Sequence, residues 1–283
     1  MAGSTTSTLQ HLLPSIVQEA MFVAQEQSIM RGLVRNYSLA PGQGKTINVP
    51  IYPKQTAATL LEGDEVANTE VTTSSATMTV ATNAIRTLVT DLARTSSASN
   101  VVADVGRLFG EAIAKKIDTD LLALFSGFSA GVGDNATALT PAAVAQAVAK
   151  LRAVGVPSND LAIVLNPYAA YDLKAALTNT FTNPNGGLVQ NDAMKQGYLG
   201  QLFGVPVYET ANLANTGTAG DYIGAVFHRD ALGLAMIGDI TIETQRRASF
   251  LGDDIVASCH YAVGELYDAY GVKITADSTL VNP

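Results

Sequence analysis

Two stretches of the chain have the residue types and spacing of loops that do chemistry. Gly127-Phe128-Ser129-Ala130-Gly131 matches G-x-S-x-G, the turn that exposes a nucleophilic serine in hydrolases. Its chemistry would be attack of the serine hydroxyl on an acyl carbonyl, and it needs a strand before the turn and a helix after it. Here a helical pattern precedes and the loop GVGDNATALT follows, so no activated serine is expected. Pro41 to Thr46 reads PGQGKT, the end of a phosphate-cradling loop. That motif needs a glycine at position 39, where Leu39 stands, and a helix after it, where TINVPIY has a β-branched strand pattern. A turn is expected instead. His11, His228 and His260 are far apart and share no metal-ligand spacing. Cys259 and His260 are neighbours, and in a strand they point to opposite faces, as a buried thiol and a structural histidine. The expected catalytic, cofactor-binding and metal-binding residues are therefore none.

Composition narrows the function classes further. The net charge is −8, from 17 basic and 25 acidic residues, and no Lys/Arg run occurs. Sequence-specific nucleic-acid binding is unlike this pattern, because phosphate contacts need clustered positive charge. Hydrophobic residues make up 47% and charged residues only 15%, so much of the surface is neutral and polar. Such a surface suits permanent subunit contacts, where buried charge is costly. Cys259 is the single cysteine, which excludes an internal disulfide and fits a reducing compartment. The N-terminus shows neither a basic nor an apolar signal region. The longest apolar run, near Tyr222 to Gly238, is interrupted by His228, Arg229 and Asp230, so no membrane span is expected.

The elements that would position these residues centre on Asn100 to Phe125. Val101, Val105, Leu108, Phe109, Ala112, Ile113, Ile117, Leu121, Leu124 and Phe125 recur at three and four, one face of a helix. Asn100 is the expected N-cap, and Gly127 the expected left-handed C-terminal turn. A helix of about 40 Å needs a sheet or other subunits to cover its stripe. Upstream, Leu9 to Met30 has helical spacing and reads equally as a core helix or as an arm packing on a neighbour. Thr46 to Tyr52 and Thr72 to Thr82 alternate and predict a long hairpin. Between them, Gln55 to Ser75 has few large apolar side chains, so its ordering is expected to depend on a neighbouring copy, with Leu60 and Leu61 as anchors. Downstream, Thr140 caps a helix to Ala153, LAIVL at 161–165 is a strand buried on both faces, and Asn166-Pro167 opens a helix to Leu177. Apolar strands follow at Tyr222 to Phe227 and Leu232 to Met236. Ile240 to Gln245, Ile255 to Ala262 and Leu266 to Ile274 then predict an antiparallel meander under the long helix, with turns at Gly252-Asp253-Asp254 and Gly264-Glu265. Arg246 and Arg247 read as a solvated or intersubunit pair.

This order, with LAIVLNPYAAYDLKAAL, QLFGVPVYET…YIGAVFHRDALGLAMI and ITIETQRR…GDDIVASCHYAVGELYDAYGVKI, resembles the major capsid proteins of tailed bacteriophages, the HK97 fold. The resemblance implies an α+β fold with an N-terminal arm (1–44), an extended β-hairpin loop (45–85), a peripheral domain with a long spine helix (86–130 and 239–275), an axial domain (131–238) and a C-terminal tail (276–283). It implies no enzyme activity and no cofactor. The partners it implies are the chain itself, as hexamers and pentamers of a shell, a separate scaffolding protein and portal, and packaged double-stranded DNA without sequence-specific contacts. Assembly is expected in the host bacterial cytoplasm and the final location in the virion. Intersubunit contacts are expected at Leu12, Ile16, Leu60, Leu61, Arg246 and Arg247. Lys54 falls where some members cross-link a lysine to an asparagine, and that chemistry is not carried over. An encapsulin-like nanocompartment of the same fold and a serine hydrolase using Ser129 are the alternatives.

Overall fold

The structure is a computed structural model that describes residues 28–40, 42, 44–55, 57, 59, 63, 65–66, 68, 70–96, 101–180, 200–216 and 220–280. Leu12, Ile16, Leu60, Leu61 and Asn100 lie outside the described residues. The described chain opens with one helical turn, α1 (Met30–Leu33), and a short strand, β1 (Arg35–Ser38). The alternating stretch TINVPI forms β2 (Thr46–Ile51) and pairs antiparallel with β3 (Ser74–Thr79), Thr46 opposite Thr79. This is the expected hairpin. The chain turns at once into β4 (Ala81–Thr90), then α2 (Asp91–Ser96) and the long helix α3 (Val101–Ala123).

With 23 residues, α3 is about 35 Å long. It ends by tightening into a 3₁₀ turn at Leu124–Gly127, and Gly127 is not among the positive-φ residues. The left-handed glycine stop expected there is corrected: shifted hydrogen bonding in the last turn ends the helix instead. After β5 (Gly131–Gly133) comes α4 (Pro141–Ala153), where the Thr140 hydroxyl accepts the Ala143 N–H at 3.3 Å, the cap read from the sequence. All five residues of β6 (Leu161–Leu165) are buried. Asn166 Oδ1 accepts the Tyr168 N–H at 2.9 Å and opens α5 (Pro167–Thr180). The remaining strands are β7 (Gln201–Leu202), β8 (Val205–Glu209), β9 (Asp221–His228), β10 (Leu232–Arg247), β11 (Gly252–Glu265) and β12 (Gly271–Asp277).

Two sheets carry the fold. One has the order β1-β10-β11-β4, the other β5-β12-β9-β6-β8-β7. The two apolar stretches expected as separate strands at 232–236 and 240–245 are a single strand, β10, whose register with β11 shifts between Ile237 and Thr241. Gly238, at φ 71°, lies in that irregularity, where a left-handed residue is needed. The expected meander is also corrected. β12 does not pair with β11; it pairs antiparallel with β9 and parallel with β5, in the other sheet. Residues 266–270 are a crossover, with a 3₁₀ turn at Asp268–Tyr270. Nor are Gly252-Asp253-Asp254 and Gly264-Glu265 turns: they are the two ends of β11.

The expected helix stripe does cover a sheet. Phe109, Ile113, Ile117, Leu121 and Phe125 are buried in one core with Val89, Leu234, Ile255, Ala257 and Cys259. Among the stripe residues whose side chains are described, Leu108, 36% exposed, is left at the surface. A second core lies between α4, α5 and the six-stranded sheet. Phe125 packs on Phe128 and Phe227 within the first core, ring centroids 6.2 and 5.3 Å apart, and Tyr270 packs against both cores. The chain crosses this junction at 127–131, 228–232 and 265–271. A β-carbon on Gly271 would stand 2.2 Å from the Phe128 ring, so only glycine allows the last crossing to close over the aromatic cluster.

Candidate functional site

Ser129 lies on the first crossing and is exposed. Its amide donates to Asp268 Oδ1 at 2.8 Å, and its hydroxyl donates to the other oxygen of the same carboxylate. Burial works to raise the Asp268 carboxyl, but the hydrogen bonds from Ser129 outweigh it and hold the group below its ordinary range. Neighbouring Glu265 is pushed up, first by burial and then by the Asp268 carboxylate. A carboxylate of lowered pKa is a weak base for a serine proton. The two described histidines are engaged elsewhere: His228 Nδ1 accepts the Asp230 N–H at 3.2 Å, and His260 Nδ1 lies 2.9 Å from the Thr82 hydroxyl. The element directly before Ser129 is the 3₁₀ turn at Leu124–Gly127 and not a strand, and β5 rather than a helix follows it. Ser129 and Asp268 tie two crossings together. Cys259 is buried and His260 exposed, on opposite faces of β11 as expected, and burial pushes the Cys259 thiol up.

The best-connected polar group in the core was missed by sequence reasoning. Asp118, in the C-terminal third of α3, is 0% exposed. Its Oδ1 accepts the Ser28 hydroxyl at 3.1 Å, the Ile29 N–H at 3.1 Å and the Met30 N–H at 2.8 Å. Its Oδ2 accepts from Asn212 Nδ2 at 3.0 Å. One carboxylate thus satisfies the free donors at the start of α1 and binds the loop after β8. It fixes residues 28–30 against α3. The signal was present: Asp118 stands beside Ile117 and one turn before Leu121 and Leu122, a charge on an apolar stripe.

The far end of the four-stranded sheet is built from opposite charges. Arg246 makes two bonds of 2.6 Å to the Asp91 carboxylate, Arg94 meets Asp253 at 2.7 Å, and Asp254 is bonded by Arg86 at 2.8 Å and Arg247 at 3.4 Å. The Arg246 hydrogen bond is the main cause that holds the Asp91 carboxyl below its ordinary range. Asp253 and Asp254, read as turn formers, are ion-pair partners in β11. Beside the hairpin, Lys54 Nζ donates to the carbonyl of Val154, the C-cap of α4, where the helix dipole favours a cation. Two open grooves of about 390 and 330 Å³ flank the start of the described chain and share Asp160 and Arg229. In the first, Arg35 pairs with Asp230 at 2.7 Å, and Arg229 donates to the Val34 carbonyl at 3.4 Å.

This arrangement holds segments and sheets together, and among the described residues Ser129 is paired with Asp268 and not with a histidine. Comparison with known proteins agrees. The family described as phage capsid protein matches residues 73–274, which includes the long helix and all but the last residues of β12. The chain belongs to the phage capsid protein family. A search of curated proteins found no match. Among solved structures, the capsid protein fold is similar to that of Mycobacterium phage Che8, at TM-score 0.74 and 18% identity over 93% of this chain and 96% of that one. The capsid structure of the cyanophage P-SCSP1u gives TM-score 0.73 at 16% identity, covering 98% and 96%. The head structure of Helicobacter pylori bacteriophage KHP40 gives 0.71 at 13%, covering 98% and 99%. At these identities the likeness is one of fold, the HK97-like fold. The capsid protein is a structural major capsid protein and part of the virion. Of its expected intersubunit residues, Arg246 and Arg247 are engaged within the subunit by Asp91 and Asp254, and Leu12, Ile16, Leu60 and Leu61 are outside the described residues.

Proposed function

We propose that the chain assembles with copies of itself, as hexamers and pentamers, into a closed icosahedral shell around double-stranded DNA. The observation that carries this reading is the capsid family match across residues 73–274. The surface fits the role: only 15% of residues are charged, so extensive contacts can form without burying many ions. Contacts with DNA are sequence-independent, since a net charge of −8 without basic clusters gives no base readout. Assembly in the host cytoplasm uses a separate scaffolding protein and a portal. The arm is 1–44 and the extended loop begins at 45. The peripheral unit is built on the four-stranded sheet and α3, the axial unit on the six-stranded sheet with α4 and α5. Arg246 and Arg247 lie near subunit contacts.

The test is nuclease protection of particles isolated from cells that produce the complete virion. The expected result is double-stranded DNA that resists nuclease while the shell is intact and is digested after the shell is opened. Particles filled with protein and free of nucleic acid would contradict a genome shell and favour a nanocompartment.

A further inference from the structure

Two strands of the six-stranded sheet meet on a pair of like charges. β9 begins at Asp221, β12 ends at Asp277, and the register sets the two directly opposite each other. The Asp277 N–H donates away from β9, to the Thr137 carbonyl at 3.0 Å, and the Asp221 carbonyl accepts the Thr216 N–H at 3.1 Å, away from β12. With their backbone groups turned outward, they form the close, non-hydrogen-bonded kind of antiparallel pair. Both side chains stand on one face of the sheet, with β-carbons about 4.5–5.5 Å apart, and like charges so placed repel. Burial sharpens the cost, because Asp221 is 5% exposed. The other buried aspartates among the described residues are all compensated. Asp118 takes four donors, Asp172 accepts the Thr279 N–H at 3.0 Å, and Asp254 is bonded by Arg86 at 2.8 Å. Among the described residues, no hydrogen bond or ion pair reaches the carboxylate of Asp221 or that of Asp277. Lys273, further back on the same face of β12, is taken by the Ser126 carbonyl at 3.4 Å.

The two strand ends are not free to splay apart. The Ser278 N–H donates to the Gly220 carbonyl at 2.8 Å, and Thr279 is fastened to Asp172 on α5. Gly220, at φ 105°, leaves room for the acid: a β-carbon there would stand 2.5 Å from Asp277 Oδ1. Carboxylates held together in a half-dry place are compensated by a partner or by a metal. We propose that Asp221 and Asp277 together bind one hard divalent cation of the Mg²⁺ kind. Mg²⁺ is commonly held by one or two carboxylates with water in its other positions, whereas Ca²⁺ takes six to eight oxygen ligands. The cation joins the end of β12, where the chain leaves for α5, to the start of β9. The site belongs to the single subunit and is independent of the shell.

The full-length subunit, freed of cations by chelation, is melted with and without MgCl₂ at constant ionic strength. Its melting temperature should rise by about 2–4 °C at a Mg²⁺ concentration about ten times the dissociation constant, and NaCl of the same ionic strength should not reproduce the rise. Asp221→Asn and Asp277→Asn should each melt higher than the unaltered chain in metal-free buffer, since one of two repelling charges is gone, and each should lose the Mg²⁺ response. Asp134→Asn, just past the neighbouring β5, should keep that response. Mn²⁺, which favours the same oxygen ligands, should bind at one ion per subunit and broaden the amide NMR signals of residues 220–222 and 276–278. An unaltered chain that does not respond to Mg²⁺, or an Asp221→Asn chain that responds as fully as the unaltered one, would overturn the site. An Asp221→Asn chain that melts lower than the unaltered chain in metal-free buffer would overturn it too, by showing that the carboxylate is already compensated within the protein.

Discussion

At the scale of single residues, the chemistry of this protein is that of joints. Asp118 gathers four donors from two places in the chain, residues 28–30 and Asn212, without any exposure to solvent. Asp118→Ala would leave those donors buried and unmatched, at a cost of about 3 kcal/mol, and Asp118→Asn about 2 kcal/mol, because the amide can replace only one acceptor. Chemical denaturation of the subunit measures both. Ser129→Ala, by contrast, should change neither assembly nor esterase activity, and a fluorophosphonate probe that labelled Ser129 stoichiometrically would contradict its joint role. The Asp91–Arg246 pair predicts a pH dependence. Asp91 has a folded-state pKa below its unfolded value, so its contribution is fully present above about pH 4 and is lost as the pH falls through the folded value. Both groups lie at the surface and the contribution is small. Melting curves of Arg246→Gln and the unaltered subunit should therefore differ slightly at neutral pH and converge in strong acid, once the Asp91 carboxyl is protonated in both. A gap that persists there would mean the pair acts through packing rather than charge.

At the scale of elements, what was legible in the sequence was whatever repeats locally. The hairpin of β2 and β3, the cap of α4, the buried β6 and the stripe of α3 follow from periods of two and 3.6 and from cap residues. Pairing partners are not local. Leu266 to Ile274 alternates as a strand should, but nothing in that pattern says that β12 returns to β9 and β5 instead of lying beside β11. Asp253 and Asp254 have turn-forming side chains, and only the arrival of Arg86, Arg94, Arg246 and Arg247 from three other elements makes them strand residues. Three substitutions test the helix and its junction. Leu121→Asp puts a carboxylate in the core under α3 and should cost about 4 kcal/mol and abolish particles. Gly110→Ala, with nothing within 4 Å of the added carbon, should raise subunit stability by about 0.5–1 kcal/mol through helix propensity. Gly271→Ala, pressed against Phe128, should lower it by about 2 kcal/mol. A melting-temperature ranking that departs from Gly110→Ala, unaltered, Gly271→Ala would show that the packing at the junction is misassigned.

At the scale of the whole molecule, two sheet-based units meet at the aromatic junction, where the first core takes in side chains of both sheets, and the spine helix lies across one of them. A low-charge surface is a feature of a subunit that finishes its burial against copies of itself. The function proposed for this chain depends on its building a closed shell, and electron microscopy of the purified, concentrated protein decides whether it does. Closed particles of uniform size with icosahedral symmetry are expected, with walls that fit this subunit repeated in rings of six and five. A protein that stays monomeric or forms only small open oligomers, at every concentration and with its assembly partners supplied, would contradict the closed shell.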